Sequence, residues 1–433
     1  MSDADNEKGR SLDSTENVKQ PSIQVGYDEG WEAWSTALGV MLLQFSTYGY
    51  TNAHGVYTDF YVREYLPSYS SSQISWIGGA QFALSFLIGP VTGPMFDAGY
   101  FRTMCYGGSL LFSFSLFMLS LAQPNQFYQI LLTQGIGLGL SIGLTYIPGI
   151  GLISHHFSRH RALAMGIGAS GSALGGLIHP IVLNRLLRTG LGFQGAVKVS
   201  AGLCTASMGV ACLMMYPRYP NGFIKKGFSM ETWRGNVVRY FREPAFLFSS
   251  LGTCVALLGL YFPNFFLQLN AIKRGIDPNF AFYTISILNA SNIPGRILPN
   301  LLVPRYGPFN AMILITFSCA VLIFGLYGVE DIGGTVGFAV LFGFFSGAYV
   351  GVVAPMVSSL AKDTSEIGSR VGTSLCLASI SALTGSPIAG ALLGDDFNWS
   401  PPILFSGATV ALAAASFGMS RFFVARERGT WRV

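Results

Sequence analysis

Apolar residues along this chain form twelve long runs that are separated by short polar or charged segments. Most runs reach about 20 residues or more, the length an α-helix needs to cross the hydrocarbon core of a bilayer. The runs cover 33–60, 74–96, 104–122, 127–154, 162–184, 196–216, 245–269, 279–302, 308–328, 335–361, 370–394 and 401–423. This pattern predicts an all-α membrane protein with twelve transmembrane helices.

The longest polar interruption divides the twelve runs into two sets of six. We therefore predict a disordered cytosolic N-terminal tail (1–27), an N-terminal half (28–216), a cytosolic central loop (217–244), a C-terminal half (245–424) and a cytosolic C-terminal tail (425–433). Within the central loop, 231–243 places aromatic and aliphatic residues on one helical face and arginines beside it. That pattern indicates a short interfacial helix, with an irregular loop as the alternative.

Composition supports a membrane protein and narrows its chemistry. The chain is 51% hydrophobic and 11% charged, and its mean hydropathy is +0.47. Twelve spans leave no room for a separate soluble catalytic domain. The six cysteines form no CxxC or Cys/His cluster, so neither a metal site nor a disulfide framework is predicted. No nucleotide-binding loop, cofactor motif or aromatic-interleaved basic stripe is present, so we predict neither an enzyme nor a nucleic-acid-binding protein.

The basic residues predict the orientation. If the N-terminus is cytosolic, 19 of the 26 Lys and Arg lie in cytosolic segments and six lie outside. Basic residues favour the cytosolic side, so both termini are predicted there, with the plasma membrane as the expected location. The N-terminal tail lacks the apolar core of a cleaved signal peptide, so the first helix is expected to serve as a signal anchor.

Arg296 is the one Lys or Arg that lies well inside an apolar run. Placing a guanidinium at the bilayer centre costs roughly 3 kcal/mol on insertion scales, so such residues face a bundle interior or a wet cavity. Asn289 and Asn292 share its helical face, seven and four residues before it. We predict that this face binds an anionic solute. The alternative is a structural arginine that is bonded to helix carbonyls.

A gating element is predicted between the second and third runs. Gly93, Asp97, Gly99 and Arg102 stand in a stretch that resembles the G-x3-D-x-G-x-x-R loop of major facilitator carriers. Gly93 allows close helix approach and Gly99 a tight turn, while Asp97 and Arg102 are able to pair with charges or helix ends. The corresponding stretch of the second half, 296–307, lacks the matching Gly and Asp, so the charged lock is expected on the N-terminal half.

Four further stretches, in order along the chain, resemble fungal monocarboxylate-carrier-like proteins of the major facilitator superfamily. They are 28–34 (DEGWEAW), 48–56 (YGYTNAHGV), 156–166 (HFSRHRALAMG) and 366–372 (EIGSRVG) with 383–388 (LTGSPI). The resemblance covers about 27–424. It implies a twelve-helix carrier in two six-helix halves that moves monocarboxylates or other small organic solutes, often with protons.

The resemblance also implies roles for single residues. Arg296 matches the substrate-binding arginine of the acid carriers, whereas Asn292 stands where those carriers have a proton-accepting Asp. His54 lies near the position of their first-helix Lys and would titrate close to neutral pH; a structural core histidine is the alternative. Asn52, two residues earlier, is a further candidate for the solute site.

We therefore predict a secondary transporter of a small organic solute, a monocarboxylate in the first instance. The expected solute-binding residues are Arg296, Asn292, Asn289, His54 and Asn52. A carrier of a vitamin such as riboflavin, or an exporter of a secondary metabolite, is the alternative on the same fold. A membrane nutrient sensor is a further alternative, which the short C-terminal tail disfavours. The expected partners are the solute and the lipid bilayer, with proton coupling and a single-span chaperone left open.

Overall fold

The computed structural model describes residues 30–218, 230–363, 366–394 and 397–433, and these residues are helical apart from short turns and loops. The predicted tail 1–27 lies outside them. The N-terminal half contains six spans, each made of one helix or of stacked helices. Span 1 is Trp31–Ser46, Tyr48–Thr51, His54–Phe60 and the π-helical Tyr61–Tyr65; span 2 is Ser71–Leu87 and Gly89–Asp97; span 3 is Phe101–Leu119; span 4 is Phe127–Ile130, the π-helical Leu131–Gly137 and Leu138–His156; span 5 is Arg161–Leu187; span 6 is Gly192–Met214.

The C-terminal half repeats this arrangement after a linker helix at Met230–Arg242, within the segment where a short amphipathic helix is predicted. Span 7 is Pro244–Leu260 and Phe262–Lys273; span 8 is Pro278–Tyr306; span 9 is Pro308–Gly325 with the 3-10 turn Leu326–Gly328; span 10 is Ile332–Ser358; span 11 is Ile367–Leu393; span 12 is Ser400–Arg428. The prediction of an all-α, twelve-helix membrane protein in two six-helix halves is confirmed.

Hydropathy alone identifies fewer spans than the fold contains. Among the described residues, nine helices are long and apolar enough to cross a membrane. Spans 1, 3 and 8 complete the bundle. Span 1 is broken by a turn at Asn52, and span 8 carries Arg296 and several amide side chains. A membrane helix can hold such polar groups only where neighbouring helices or a cavity receive them, so these two spans mark the functional interior.

Each half has its own apolar core, and the halves meet along two pairs of spans. Buried side chains cluster almost entirely within 33–215 or within 240–433. Span 2 runs antiparallel to span 11, and span 5 runs antiparallel to span 8. We name the side of the bundle where span 1 begins the N-terminal face. Gly93 of span 2 packs against Gly368 of span 11, and Gly166 of span 5 against span 8, so the space between the halves is narrow towards the N-terminal face.

Glycines allow the close helix crossings that build each half. Gly171 in span 5 faces the backbone of Met41 in span 1, and a Cβ at Gly171 would collide with the carbonyl oxygen of Met41. Lipid provides little hydrophobic driving force between helices, so close van der Waals packing of small residues carries much of the association.

We predict that Gly171→Val destabilises the folded carrier. Overpacking a tight contact costs about 1–3 kcal/mol, and here the opposing atom belongs to backbone that cannot rotate away. The matched control is Gly202→Val in span 6, where a Cβ meets no atom within 4 Å. Thermal unfolding of the detergent-solubilised protein, followed by fluorescence-detected gel filtration, measures both. Equal melting temperatures for the two variants would contradict the packing argument.

Candidate functional site

A cavity lies between the two halves, near the middle of the spans. Its volume is about 80 Å³, which is room for a handful of waters. Spans 1, 2, 4, 5, 7, 8 and 10 contribute to its wall. The polar lining residues are Gln44, Asn52, Ser172, Asn264, Asn289, Asn292, Arg296 and Ser346, and the aromatic ones are Tyr48, Phe82, Phe86, Tyr146 and Tyr261.

Arg296 is the charged group of this wall within the described part of the chain. Its side chain is 7% exposed, and Nη1 donates to the carbonyl oxygen of Ala169 (2.5 Å) and to the Ser172 hydroxyl, both in span 5. Nε is buried and has no hydrogen-bond partner. No Asp or Glu among the described residues forms a salt bridge with Arg296. The alternative of a structural arginine is therefore met only in part. One nitrogen of Arg296 is bonded to span 5, but its positive charge remains unneutralised.

Amide side chains surround this arginine. Asn289 and Asn292 line the cavity with Arg296, as their helical spacing predicts, and Asn52 faces them from span 1. The Nδ2 atoms of all three donate to helix carbonyl oxygens at 3.0–3.4 Å. Gln44 differs, because its Oε1 and Nε2 are both buried without a partner. The wall thus offers a solute one cation and a set of neutral hydrogen-bonding groups.

An aromatic cluster forms the other side of the cavity. The ring of Tyr48 lies 4.9 Å from that of Tyr146 and 5.8 Å from that of Phe86, while the Phe82 and Tyr261 rings are 6.0 Å apart across the two halves. Sequence reasoning did not assign these residues to the site, since aromatic residues are frequent in every span and serve packing in most of them. Only the fold shows which ones share a wall.

His54 lies outside the cavity lining. Its Nδ1 is 3.3 Å from Nε2 of Gln134 and its Nε2 is 3.2 Å from the Thr58 hydroxyl, within the N-terminal half. The Gln134 Oε1 in turn accepts a hydrogen bond from Tyr61 (2.7 Å). These contacts favour the alternative of a hydrogen-bonded structural histidine over a direct solute ligand.

The predicted gating residues lie at the N-terminal face, where span 2 meets span 11. Asp97 is buried, and its carboxylate accepts the backbone N–H groups of Gly368 (3.2 Å) and Ser369 (2.9 Å). We name this interaction the gate contact. Gly93 lies against the Gly368 carbonyl, which leaves no room for a Cβ, and Gly99 adopts φ +94° in the turn that follows. Arg102 is exposed beside it. A carboxylate at a helix N-terminus is favoured by the free N–H groups and the helix dipole.

A buried charge cluster adjoins the gate contact, and sequence reasoning missed it. Arg370 is fully buried in the first turn of span 11 and binds both oxygens of Glu243 at 2.7 and 3.1 Å. Its Nε donates to Glu366 (3.2 Å), and Lys362 lies 3.7 Å from Glu243. Partial burial opposes ionisation of Glu243, but the hydrogen bonds and charge of Arg370, together with Lys362 and Arg239, lower the pKa of this carboxyl below its ordinary value.

Two six-helix halves that enclose a polar cavity are the architecture of a secondary membrane transporter. Residues 34–335 match the family model described as Major Facilitator Superfamily, and the chain belongs to that superfamily. It is 34% identical to the aspyridones efflux protein of Emericella nidulans over 90% of this chain and 78% of that protein. It is 33% identical to the agnestins efflux protein of Paecilomyces divaricatus over 89% of this chain and 86% of that one.

The fold is similar to a crystal structure of the E. coli fucose:proton symporter, with a TM-score of 0.68. That match covers 90% of this chain and 98% of the other at 14% identity, which speaks for the fold alone. The superfamily and the twelve-helix fold are thus as the sequence predicts. These two relatives are named as efflux proteins, so they support the exporter alternative better than the monocarboxylate prediction.

We predict that the charge cluster stabilises the folded carrier at neutral pH and loses this effect in acid. Because the pKa of Glu243 is lowered on folding, its contribution is complete above the ordinary value near 4.5 and declines as the pH falls through the folded-state value. A hydrogen bond to a charged group is worth about 1.5–3 kcal/mol. Glu243→Gln should therefore lower the melting temperature by several degrees from pH 8 to about 5.5.

The difference from the parent protein should shrink below about pH 4.5, where the unfolded chain begins to protonate Glu243, and should be lost once the pH falls below the lowered pKa of the folded state. Thermal scans at six pH values measure it. Glu64→Gln, at an exposed position near the opposite face, serves as the matched control. A Glu243→Gln difference that stays constant down to pH 3.5 would show that the charge of Glu243 contributes nothing to stability.

Proposed function

We propose that this protein exports an organic anion of the secondary-metabolite type, with Arg296 binding the acidic group of the solute. The single observation that carries the proposal is the unneutralised guanidinium on the cavity wall. A buried charge without a counter-ion is costly, and an anionic solute supplies the missing partner through charge-assisted hydrogen bonds. The part of Arg296 that lines the cavity is the group that the solute would take.

The aromatic side of the cavity supports a solute with a flat unsaturated body. Tyr48, Phe86 and Tyr146 offer ring faces and edges to a planar group, while the unpartnered amide of Gln44 offers a second hydrogen-bonding point. The efflux relatives support export of fungal metabolites, each named for its own compound class. A conjugated acid that carries further oxygen atoms would fit the Arg296 cation, the aromatic rings and the Gln44 amide together.

A small monocarboxylate is the second candidate. The small volume of the cavity, about 80 Å³, favours a small monocarboxylate, because it suits a solute of a few heavy atoms. A larger solute would require the two halves to move apart. Asn292 disfavours a carrier that couples the acid to a proton at this site, because an amide takes up no proton. The Asn292 Nδ2 instead donates to the Leu288 carbonyl (3.0 Å). The second candidate would therefore require a protonatable group elsewhere.

Location and orientation are part of the proposal. The excess of basic residues on one side supports a cytosolic N-terminal face and cytosolic termini. Export of a metabolite to the medium supports the plasma membrane. A gradient has to drive export, and the proton gradient is the proposed source. In this orientation the gate contact seals the cytosolic end of the cavity.

Uptake into inside-out vesicles tests this function with a charge-matched pair of probes, 2-naphthoate and 2-naphthamide, with and without a proton gradient. Lactate, pyruvate and riboflavin complete the panel. We expect saturable transport of the acid and little of the amide. Arg296→Gln should raise the KM for the acid roughly tenfold to a hundredfold, which corresponds to the loss of a charged hydrogen bond of about 1.5–3 kcal/mol. Arg296→Lys keeps the charge without the planar guanidinium, so its KM for the acid should lie between those of the parent and of Arg296→Gln.

Arg63→Gln is the matched control, because Arg63 is an exposed arginine that pairs only with Asp59 in its own span among the described residues. Transport of lactate but not naphthoate would support the second candidate. Transport of riboflavin would support a vitamin carrier. If naphthoate moves equally well in Arg296→Gln and in the parent, Arg296 serves only to join spans 5 and 8, and the proposal is wrong.

A further inference from the structure

Arg370 is unusual because it is fully buried at the end of a span, where an arginine normally reaches water. A guanidinium cannot lose its proton in a protein, so its burial depends on its partners. Both Nη atoms bind Glu243 and Nε binds Glu366, which gives a bidentate pair with a second carboxylate behind it. The Tyr240 ring covers the guanidinium, with its centroid 4.4 Å from Cζ.

These partners connect three elements of the C-terminal half. Tyr240 belongs to the linker helix, Glu243 lies immediately before span 7, and Arg370 lies in the first turn of span 11. Exposed surface ion pairs are worth little, but a buried bidentate pair fixes the relative position of its two backbones. The first turn of span 11 is therefore held to the start of span 7 and to the linker helix.

The same turn is the docking point for the N-terminal half. The N–H groups of Gly368 and Ser369, two and one residues before Arg370, are the donors of the gate contact with Asp97. Any opening of the N-terminal face has to break this contact, because Asp97 belongs to span 2 and its donors to span 11. The strength of the contact depends on where these two N–H groups lie, since hydrogen bonds weaken steeply with misalignment.

We propose that Arg370 and Glu243 are positioning residues of the gate: they hold the first turn of span 11 where Asp97 docks, and so stabilise the state that is closed at the N-terminal face. The linker helix contributes to this positioning, because its Tyr240 covers the Arg370 guanidinium. This inference depends on alternating access and is independent of which solute is carried.

The experiment measures access to the cavity without using a solute. Ser346→Cys places a reporter thiol on the cavity wall, in a background where the six native cysteines are replaced by serine or alanine. A membrane-impermeant maleimide is added to inside-out and to right-side-out vesicles. A separate Arg305→Cys reporter, at an exposed position at the end of span 8, identifies the N-terminal face. The rate of Ser346→Cys labelling from that face reports how often the gate opens.

Arg370→Ala should raise this rate roughly tenfold, a shift of about 1.4 kcal/mol in the closed-to-open ratio. Asp97→Asn, which weakens the gate contact directly, should raise it by a similar factor. The double variant should label no faster than the faster single variant, because both changes act on one contact. A merely structural role of Arg370 would instead give effects that multiply.

Two variants keep the inference testable if Arg370→Ala does not fold. Glu243 is partly exposed, so Glu243→Gln is tolerated more easily and should raise labelling about threefold; Arg370→Lys should restore part of the closed state. Arg242→Ala is the matched control, since Arg242 lies at an exposed position at the end of the same linker helix and should change the rate less than twofold. The proposal is overturned if Glu243→Gln and Arg370→Lys label at the parent rate, if Asp97→Asn has no effect, or if the effects of Arg370→Ala and Asp97→Asn multiply.

Discussion

A permanent positive charge in the middle of a membrane protein is the constraint on which the rest of this structure depends. Arg296 can neither lose its proton nor reach bulk water from the centre of span 8, so the fold has to provide polar surroundings there. It does so from the other half of the molecule, through the Ala169 carbonyl and the Ser172 hydroxyl. The charge therefore joins the two halves and at the same time leaves a site that an anion would complete.

The contacts between the halves are of two kinds, and each suits a carrier that has to open. Glycines at the crossings of spans 2 and 11 and of spans 5 and 8 allow close approach without interlocking side chains, so the surfaces are free to separate. The gate contact is polar, and water replaces its hydrogen bonds when the face opens. The strongest ion pair nearby, between Arg370 and Glu243, lies within one half and need not break during the movement.

The family resemblance and the curated relatives point to different solutes, and the cavity suggests why. Arg296 matches the anion-binding residue implied for monocarboxylate carriers, yet Asn292 removes the acid–base group beside it. The wall that remains is aromatic and amide-lined rather than small and acidic. A site with one cation, several amide groups and ring faces supports the proposal of an unsaturated acid as the solute.

The sequence by itself determined the class of fold, the number of spans and the central position of Arg296. Apolar run length follows directly from bilayer thickness, and a charge within such a run has few permitted environments. Helical spacing also placed Asn289 and Asn292 on the Arg296 face, and the loop pattern marked Asp97 as a candidate gating residue. Each of these inferences concerns a single helix or a single loop.

Only the tertiary structure decided which side chains meet across helices. It placed Tyr48, Phe86 and Tyr146 on the cavity wall and His54 away from it. It also buried Arg370, which sequence reasoning had counted among the cytosolic cations, because Glu243 lies more than a hundred residues away and meets it only when span 7 packs beside span 11. The physical reason is that cavities and buried ion pairs arise from packing between distant segments, which periodicity along one segment does not encode.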